Sequence, residues 1–496
     1  MGSSEADCDA RTRDAAHVVS GRFRVQRQMA SPIEARGIVA FHDRATAQLT
    51  VWTSTQVPHH VREDLADTLA MPLHAVRVIA PSVGGGFGPK DHLYPDEVMV
   101  CVAAGMLGVP VKWVEQRSEH AHATVHARDQ VQFATLALDA DGRFIALDAR
   151  IIVDLGAQTT NVGGGPAFST AALLEGPYRF DDSGTTVVGA LTNKTPSGAY
   201  RGFGQGEAAW VRERLIDEAA RVMGRCPIEL RRQNMISSGD MPFVTHSAQS
   251  YDSGDYAAAL DRAAEILAKP RTGALPDPPH VRRGTGVASY VQFAGSATGV
   301  ARNINFRIAG YETVVLRMEP DGTVMLHTGV SPHGQGLETT LAQVTADRLG
   351  VPLKTVHVVV GDTSSTPPSA GTIASRSMML GGGAAIGAAT ALRAKLLHVA
   401  AHRLEVATEN LELHEGVVSV VGSPTISVPV AELARAAWLG WDLPTGISRA
   451  SKYVTRSIPR TARTRMRPMP WRSWSTWRPV PSASSATSSC RTAGRS

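Results

Sequence analysis

The chain has 496 residues, 43% hydrophobic and 19% charged, a balance typical of a globular protein with room for roughly two to four domains. No uninterrupted apolar run reaches the ~18 residues of a membrane span, and the polar start MGSSEADCDARTRDAAH lacks the apolar stretch of a secretory signal. The four cysteines (Cys8, Cys101, Cys226 and Cys490) lack metal-ligand spacing, which excludes an iron–sulfur cluster, a zinc site or a disulfide framework and points to the reducing cytoplasm.

Residues 1–20 read as loose chain, and Ser20 to Asp43 predicts strands around a turn at Pro32. Leu49–Thr55 alternates as a strand and delivers Gln56 to its end. Pro58–Met71 reads as a helix with Val61, Leu65 and Leu69 on one face. The β-branched run Val76–Ile79 then enters Val83–Asp91, VGGGFGPKD. Glycine there lets the backbone take positive φ and approach a ligand with no Cβ in the way. Such a loop presents N–H groups to something flat or anionic; a mere turn is the plain alternative. Tyr94–Gly108 is predicted helical, with Pro95, Asp96 and Glu97 at its start and Gly108 closing it. Its middle, VMVCVAAGM, is apolar on every side and predicts a buried helix. Val109–Glu115 reads as a strand and Val131–Val153 as a hairpin about Asp139–Gly142. Ser197–Gly206, SGAYRGFGQG, is a second glycine loop leading into a helix over Glu207–Met223. Residues 236–280 are polar and turn-rich, with a linker at Pro276–Pro279.

A second block opens with a hairpin, Glu312–Glu319 and Thr323–Thr328. A third loop follows, Ser331–Gly336, then a helix over Leu337–Leu349 and a strand over Val356–Val360. The fourth loop, Gly371–Ser377, feeds a helix running to about Leu404. An internal repeat links the blocks. MPLHAVRV (71–78) and VPLKTVHV (351–358) each follow a helix, and each helix follows a loop carrying a glutamine, Gln56 or Gln335. Two such units predict related halves facing one shared site.

Four loops rich in glycine and small residues suit an extended, polar, anionic ligand. Thr372, Ser375 and Ser377 at a helix start offer hydroxyls and free N–H groups to a phosphate, and Arg376 adds a fork-shaped cation. The same hydroxyls serve equally as helix caps. Gln335, between two glycines, can donate and accept in one plane, or simply make a polar turn.

The chain resembles the molybdopterin-binding large subunit of the xanthine dehydrogenase, aldehyde oxidase and carbon monoxide dehydrogenase family of molybdenum hydroxylases. The matching motifs are TSTQ (53–56), GGGFGPK (84–90), WVEQRSEH (113–120), AYRGFG (199–204), the helix into PIELRRQN (227–234), GQG (334–336) and GTIASRS (371–377). They fall in the family's order over about residues 20–445. The resemblance implies an α+β fold with two related molybdopterin-binding domains, 20–240 and a truncated 281–450, joined by a linker region, 241–280. It implies that Gln56 bonds a ligand oxygen on molybdenum and that Gly86, Phe87 and Gly88 bring backbone N–H groups to the metal's ligands. Arg201, Gly202 and Phe203 would line the substrate side, with Phe203 stacking on an aromatic substrate; Gln56, Arg201 and Phe203 would be the catalytic residues, and Gly202 and Gly204 would also touch the cofactor. Gln335 and Gly336 would bind the pterin. Thr372, Ala374, Ser375, Arg376 and Ser377 would hold the phosphate end of the cofactor, expected to be molybdopterin cytosine dinucleotide. No protein side chain would be the molybdenum's main anchor. Iron–sulfur and FAD sites would lie in partner subunits.

Departures from the family shape the functional reading. The carbon monoxide enzymes carry a copper-bridging cysteine where Gly202 stands. Purine oxidisers carry a glutamate where Asp91 stands, and an arginine in the region of Gly163–Leu174, where this chain has none. An aldehyde or an N-heterocycle remains as substrate, with water as oxygen source. The family's base is a glutamate in a GEG- or GEP-type loop, and no such loop is found, so a catalytically inactive fragment is the alternative. Residues 451–496 turn to Arg, Ser, Thr, Pro and Trp and hold nine Arg and one Lys with no acid. Without those ten, 40 basic residues face 45 acidic, so the overall charge of +5 belongs to the tail. Met469–Arg478, shifted by one base, can read as an apolar strand. A frameshift near residue 450 and a disordered tail are therefore expected. The rival is a basic, Trp-bearing arm for nucleic acid.

Overall fold

The computed structural model describes residues 12–13, 15–269, 280–282, 284–292, 294–295, 308–441, 443–444 and, as backbone, 452–457. The Pro276–Pro279 linker and residues 458–496 of the expected tail lie outside the described residues. The fold is α+β, in two halves.

The first half builds two four-stranded sheets. The larger has the order β1-β6-β7-β8, from β1 (His17–Met29), β6 (His126–Leu138), β7 (Phe144–Gly156) and β8 (Asp182–Leu191). The predicted hairpin is the β6–β7 pair, turning at Asp139–Arg143. Its buried residues Leu136, Leu147, Ile151 and Val153 meet Val211, Leu215 and Ala219 of helix α3 (Gln205–Met223) in one core. The 3.6-residue spacing of those helix positions is what puts them on one face. The smaller sheet runs β4-β3-β2-β5: β2 (Gly37–Asp43), β3 (Gln48–Thr53), β4 (Val76–Ile79) and β5 (Val111–Val114). Helices α1 (Pro58–Thr68) and α2 (Pro95–Leu107) lie in the β3–β4 and β4–β5 connections.

Two expectations fail here. Helix α2 buries only one side, through Val100, Cys101 and Ala104. Met99, Met106 and Leu107 are 65%, 77% and 66% exposed. An all-apolar helix shows no polar face to mark which side the sheet will take. The region 241–280 is also more than a linker. It holds helix α4 (Tyr256–Ala268), capped by the Asp255 carboxylate accepting from Ala258 N–H at 2.9 Å, with Leu260 buried in the first core.

The second half repeats the smaller sheet. Strands β9 (Glu312–Met318), β10 (Val324–Thr328) and β11 (Val356–Val359), with helices α5 (Leu337–Leu349) and α6 (Gly383–Leu404), follow the same path. Strands β3 and β4 pair in parallel, as do β10 and β11; β2–β3 and β9–β10 are antiparallel. A short 3₁₀ turn, Leu73–Ala75 or Leu353–Thr355, precedes the parallel strand in each unit. Three further strands, β12 (Leu411–His414), β13 (Val417–Val420) and β14 (Ser423–Pro429), and helix α7 (Val430–Leu439) follow α6.

The repeat closes with β15 (Lys452–Ser457), antiparallel to β9 in the place β5 takes beside β2. This corrects the domain boundary at 450, because the second sheet takes its edge strand from beyond it. Composition alone placed Lys452–Ser457 with the basic tail. Helix α6, with the π-helical turn Ser377–Gly382 before it, is long and apolar enough to cross a membrane by length and composition. Its Ala385, Ala389, Leu392 and Leu396 are buried in the second core, together with Leu326, Leu341 and Leu433.

Candidate functional site

Gln56 follows the end of β3, 4% exposed, and ties three loops together. Its side-chain oxygen accepts from Gly88 N–H at 2.8 Å, and its amide nitrogen donates to Thr372 O at 2.9 Å. Its backbone oxygen accepts from Thr372 N–H and from the Ser331 hydroxyl, both at 3.0 Å. Ser331 and Thr372 bond reciprocally: Ser331 N–H donates to Thr372 Oγ1 at 3.0 Å, and that hydroxyl donates to Ser331 O at 2.8 Å. The Ser377 hydroxyl donates to Thr372 Oγ1 at 3.0 Å. These bonds join Thr53–Gln56 and Val83–Asp91 of the first half to Ser331–Gly336 and Gly371–Ser377 of the second.

Glycine is required at two of these contacts. A Cβ on Gly88, whose φ is +116°, would stand 2.6 Å from Ala199 O; one on Gly371 would stand 2.4 Å from Gln56 O. The first contact brings in Ser197–Gly206, and Arg201 N–H donates to Phe87 O at 2.9 Å. Four non-glycine residues of these loops hold left-handed backbone: Phe87 at +61°, Phe203 at +47°, Ala374 at +48° and Ser375 at +55°. Each such residue costs on the order of 1–3 kcal/mol and persists where the surroundings fix it. Strain concentrated at converging loops makes this the candidate site.

The candidate residues divide by position. Phe87 is 46% exposed, and the Arg201 guanidinium lies 5.9 Å from its ring centre. The Phe203 ring lies over Gly165, where a Cβ would stand 2.8 Å from Cζ. Gly86 touches the Gln56 side chain, and Gly204 lies against Pro166 O. Gln335 and Gly336 sit on the open third loop. The Gln335 side-chain oxygen accepts from His333 N–H at 2.5 Å, and open space faces Gly334 and Gly336. Ala374 and Ser375 are exposed at the head of the π-helical turn.

The Arg376 guanidinium is not available to an anion, which corrects the expectation. It is fully buried, donates to Glu312 Oε2 at 2.6 Å and also reaches the carbonyls of Gly371, Ala309 and Tyr311. Sequence reasoning missed Glu312 and Ser331, because nothing local pairs a strand-start glutamate with an arginine 64 residues later.

The electrostatics are those of a dry interior. Burial lowers the Lys90 ammonium even though Glu34 Oε2 lies 2.8 Å away. Burial, then the Lys90 charge, pulls His333 down to about 4. Burial opposes charge on His92, but the Asp91 carboxylate at 2.8 Å outweighs it and the imidazole is raised. Among the described residues no group of three or more His, Cys, Asp or Glu could hold a metal ion. What the loops offer instead is backbone N–H groups, glycine clearances and amide edges, which fit a large planar cofactor with an anionic tail.

Known proteins share this arrangement. Two molybdopterin cofactor-binding domain families match residues 2–235 and 258–472. The nicotine 6-hydroxylase large subunit of Paenarthrobacter nicotinovorans is 34% identical over 89% of this chain and 54% of its own length. The carbon monoxide dehydrogenase large chain of Hydrogenophaga pseudoflava is 32% identical over 88% of this chain and 55% of its own. The crystal structure of quinoline 2-oxidoreductase from Pseudomonas putida 86 superposes with a TM-score of 0.83 at 34% identity, covering 91% of this chain and 58% of that one. The fold and site define a molybdopterin-binding protein. The chain belongs to the large-subunit family of the molybdenum hydroxylases, which includes the xanthine dehydrogenase and carbon monoxide dehydrogenase subunits. It spans about half the length of the curated relatives it matches.

Proposed function

We propose that this chain supplies the molybdenum-cofactor cradle of an oxidoreductase that hydroxylates a carbon of an N-heterocycle, with water as the oxygen source. The observation that carries this is the convergence of loops from both halves on Gln56. When bound, the cofactor supplies two-electron oxidation at molybdenum. The chain's own residues bind and orient. Gly86, Phe87 and Gly88 present backbone to the metal side, and Gln335 and Gly336 take the pterin. Ala374 and Ser375, exposed at the head of the π-helical turn, hold the anionic end, which we assign to molybdopterin cytosine dinucleotide, while Thr372 and Ser377, whose hydroxyls donate to Ser331 O and Thr372 Oγ1, shape the loop around it. Arg201, Gly202 and Phe203 would face the substrate, Phe203 by ring stacking, and Gly204, packed against Pro166 O, would support the loop on the cofactor side.

The substrate class follows from two supports. Nicotine and quinoline, named in two of the relatives, are N-heterocycles. Gly202 carries no thiol to bridge copper, and its φ of +101° is a conformation L side chains rarely adopt. An aldehyde is the other substrate of this chemistry. Electrons would leave through iron–sulfur and FAD partner subunits in the cytoplasm, because the scattered cysteines of this chain build no cluster. The absence of a GEG- or GEP-type glutamate loop in these 496 residues favours a second reading, a cofactor-binding chain without turnover.

The test is metal analysis of the chain purified from a host that makes the cofactor. Equimolar molybdenum supports the cradle, and its absence removes the functional reading. On loaded protein, quinoline and benzaldehyde with an artificial acceptor in ¹⁸O-water separate the remaining readings. Labelled hydroxyquinoline supports the heterocycle, labelled benzoate the aldehyde, and no product the chain without turnover.

A further inference from the structure

Two consecutive non-glycine residues near the start of β6 hold left-handed backbone, Arg128 at φ +69° and Asp129 at +47°. Asp129 is locked by Arg27 Nε at 2.8 Å and Lys194 Nζ at 3.1 Å. The bend aims Arg128 at the Ser197–Gly206 loop, where every arm of its guanidinium is used. Nε donates to Gln28 Oε1 at 2.7 Å, Nη1 to the buried Glu207 Oε2 at 3.0 Å, and Nη2 to Arg201 O at 3.0 Å. The guanidinium carbon lies 5.0 Å from the centre of the Tyr200 ring. Residue Arg201 is thus held on both sides, since its N–H, in the preceding peptide group, already donates to Phe87 O. A peptide group is planar with its C=O and N–H opposed. Fixing the Arg201 carbonyl toward Arg128 therefore turns the Gly202 N–H away from it.

We propose that Arg128 is a positioning residue: it fixes the Arg201–Phe203 turn, and with it the direction of the Gly202 N–H and the seat of the Phe203 ring. Its consequence for substrate rests on the function proposed above; its geometry does not. A residue serving general stability needs neither the strained bend nor a guanidinium that ties β1, the first turn of α3 and the Arg201 carbonyl together. Glu207, at the first turn of α3, holds Nη1 and makes the grip a charged pair.

Hydrogen exchange by mass spectrometry on the full chain decides it. Arg128→Gln is expected to speed exchange of peptides over 199–206 by ~10-fold, the size of a lost charge-assisted hydrogen bond. Peptides from β10 and α6 should keep their wild-type rates. Arg128→Lys keeps one charged donor and should recover part of the protection. Unchanged exchange at 199–206, or equal acceleration throughout the chain, overturns the proposal. Should Arg128→Gln fail to fold, Glu207→Gln reads the same peptides, with a smaller acceleration expected. On molybdenum-loaded protein, Arg128→Gln should keep its metal and raise KM for quinoline ~10-fold with kcat little changed, because it loosens the substrate side alone. A wild-type chain that neither loads molybdenum nor turns over would sink the functional reading, and the exchange result would still decide the positioning.

Discussion

Gln56 is the residue on which both halves of the molecule depend, and its removal has a calculable cost. Gln56→Ala leaves the part-buried Gly88 N–H and Thr372 carbonyl without the side chain they bond. Each unsatisfied group costs about 1–3 kcal/mol, so urea denaturation should show a clearly lower midpoint, and molybdenum loading should fall with it. Arg376→Met is expected to cost more. It strands the fully buried Glu312 carboxylate, and breaking one side of such a pair costs roughly 3–5 kcal/mol. Adding Glu312→Leu should restore much of that loss in a double-mutant cycle, because an apolar pair can replace a buried ion pair. If the double variant is no more stable than Arg376→Met, the pair is not what Arg376 is for. These two residues also show how far single positions are legible in a sequence. Gln56 could be picked out because it ends a strand beside glycine loops. Arg376 was misread because an arginine among hydroxyls at a helix start looks like an anion ligand, while its partner is distant in sequence.

Helix α1 meets the second half through a titratable contact. His59 Nε2 lies 3.1 Å from Thr366 Oγ1, and burial, then the charge of Arg62, pulls the imidazole down to about 4. Its folded value is below the ordinary one of 6.5, so the unfolded chain binds the extra proton. The contribution is complete above pH 6.5 and is lost as pH falls through about 4. His333, at about 4 as well, has the same sign. His59→Gln, which keeps a hydrogen-bonding side chain without titrating, should flatten the stability-against-pH slope in that window, with His333 and the likewise lowered His126 supplying what remains. An unchanged slope would mean that His59 is protonated or exposed in the fold. At this same scale the sequence pattern gave most elements and misplaced their faces. Met106→Lys on the exposed side of α2 should change stability by no more than ~0.5 kcal/mol, whereas the all-apolar pattern predicts a severe loss. Strand β8 had no clear period among its Ser, Thr and Gly and is recognised only by what it pairs with, whereas Leu411–His414 alternates and turns at Glu415–Gly416 into Val417–Val420.

The molecule carries one strand–helix plan twice, in the smaller sheet of the first half and in the second half, and the two copies are joined where β4 meets the second half. Ala80 N–H donates to Gly361 O at 2.7 Å, Thr363 N–H donates to Val78 O at 3.0 Å, and Arg77 binds Asp362 with Nη2 at 2.6 Å. The repeat was visible in sequence because the 3₁₀ turn and parallel strand preserve a local pattern, MPLHAVRV against VPLKTVHV. Its end was not visible, because β15 is a short edge strand whose identity comes from β9 across the sheet. That pairing, and the match of the second cofactor-binding domain to residue 472, count against a break in reading frame as early as residue 450. Truncation tests this directly. A chain stopped after Ala450 leaves the backbone groups of β9 unpaired at a new sheet edge, which invites association. It should melt roughly 5 °C lower than the full chain and elute as aggregate. A chain stopped after Pro459 keeps β15 and should melt and elute like the full one. If the 450 chain matches the longer one in both measurements, β15 contributes nothing and the second domain ends where composition alone would end it.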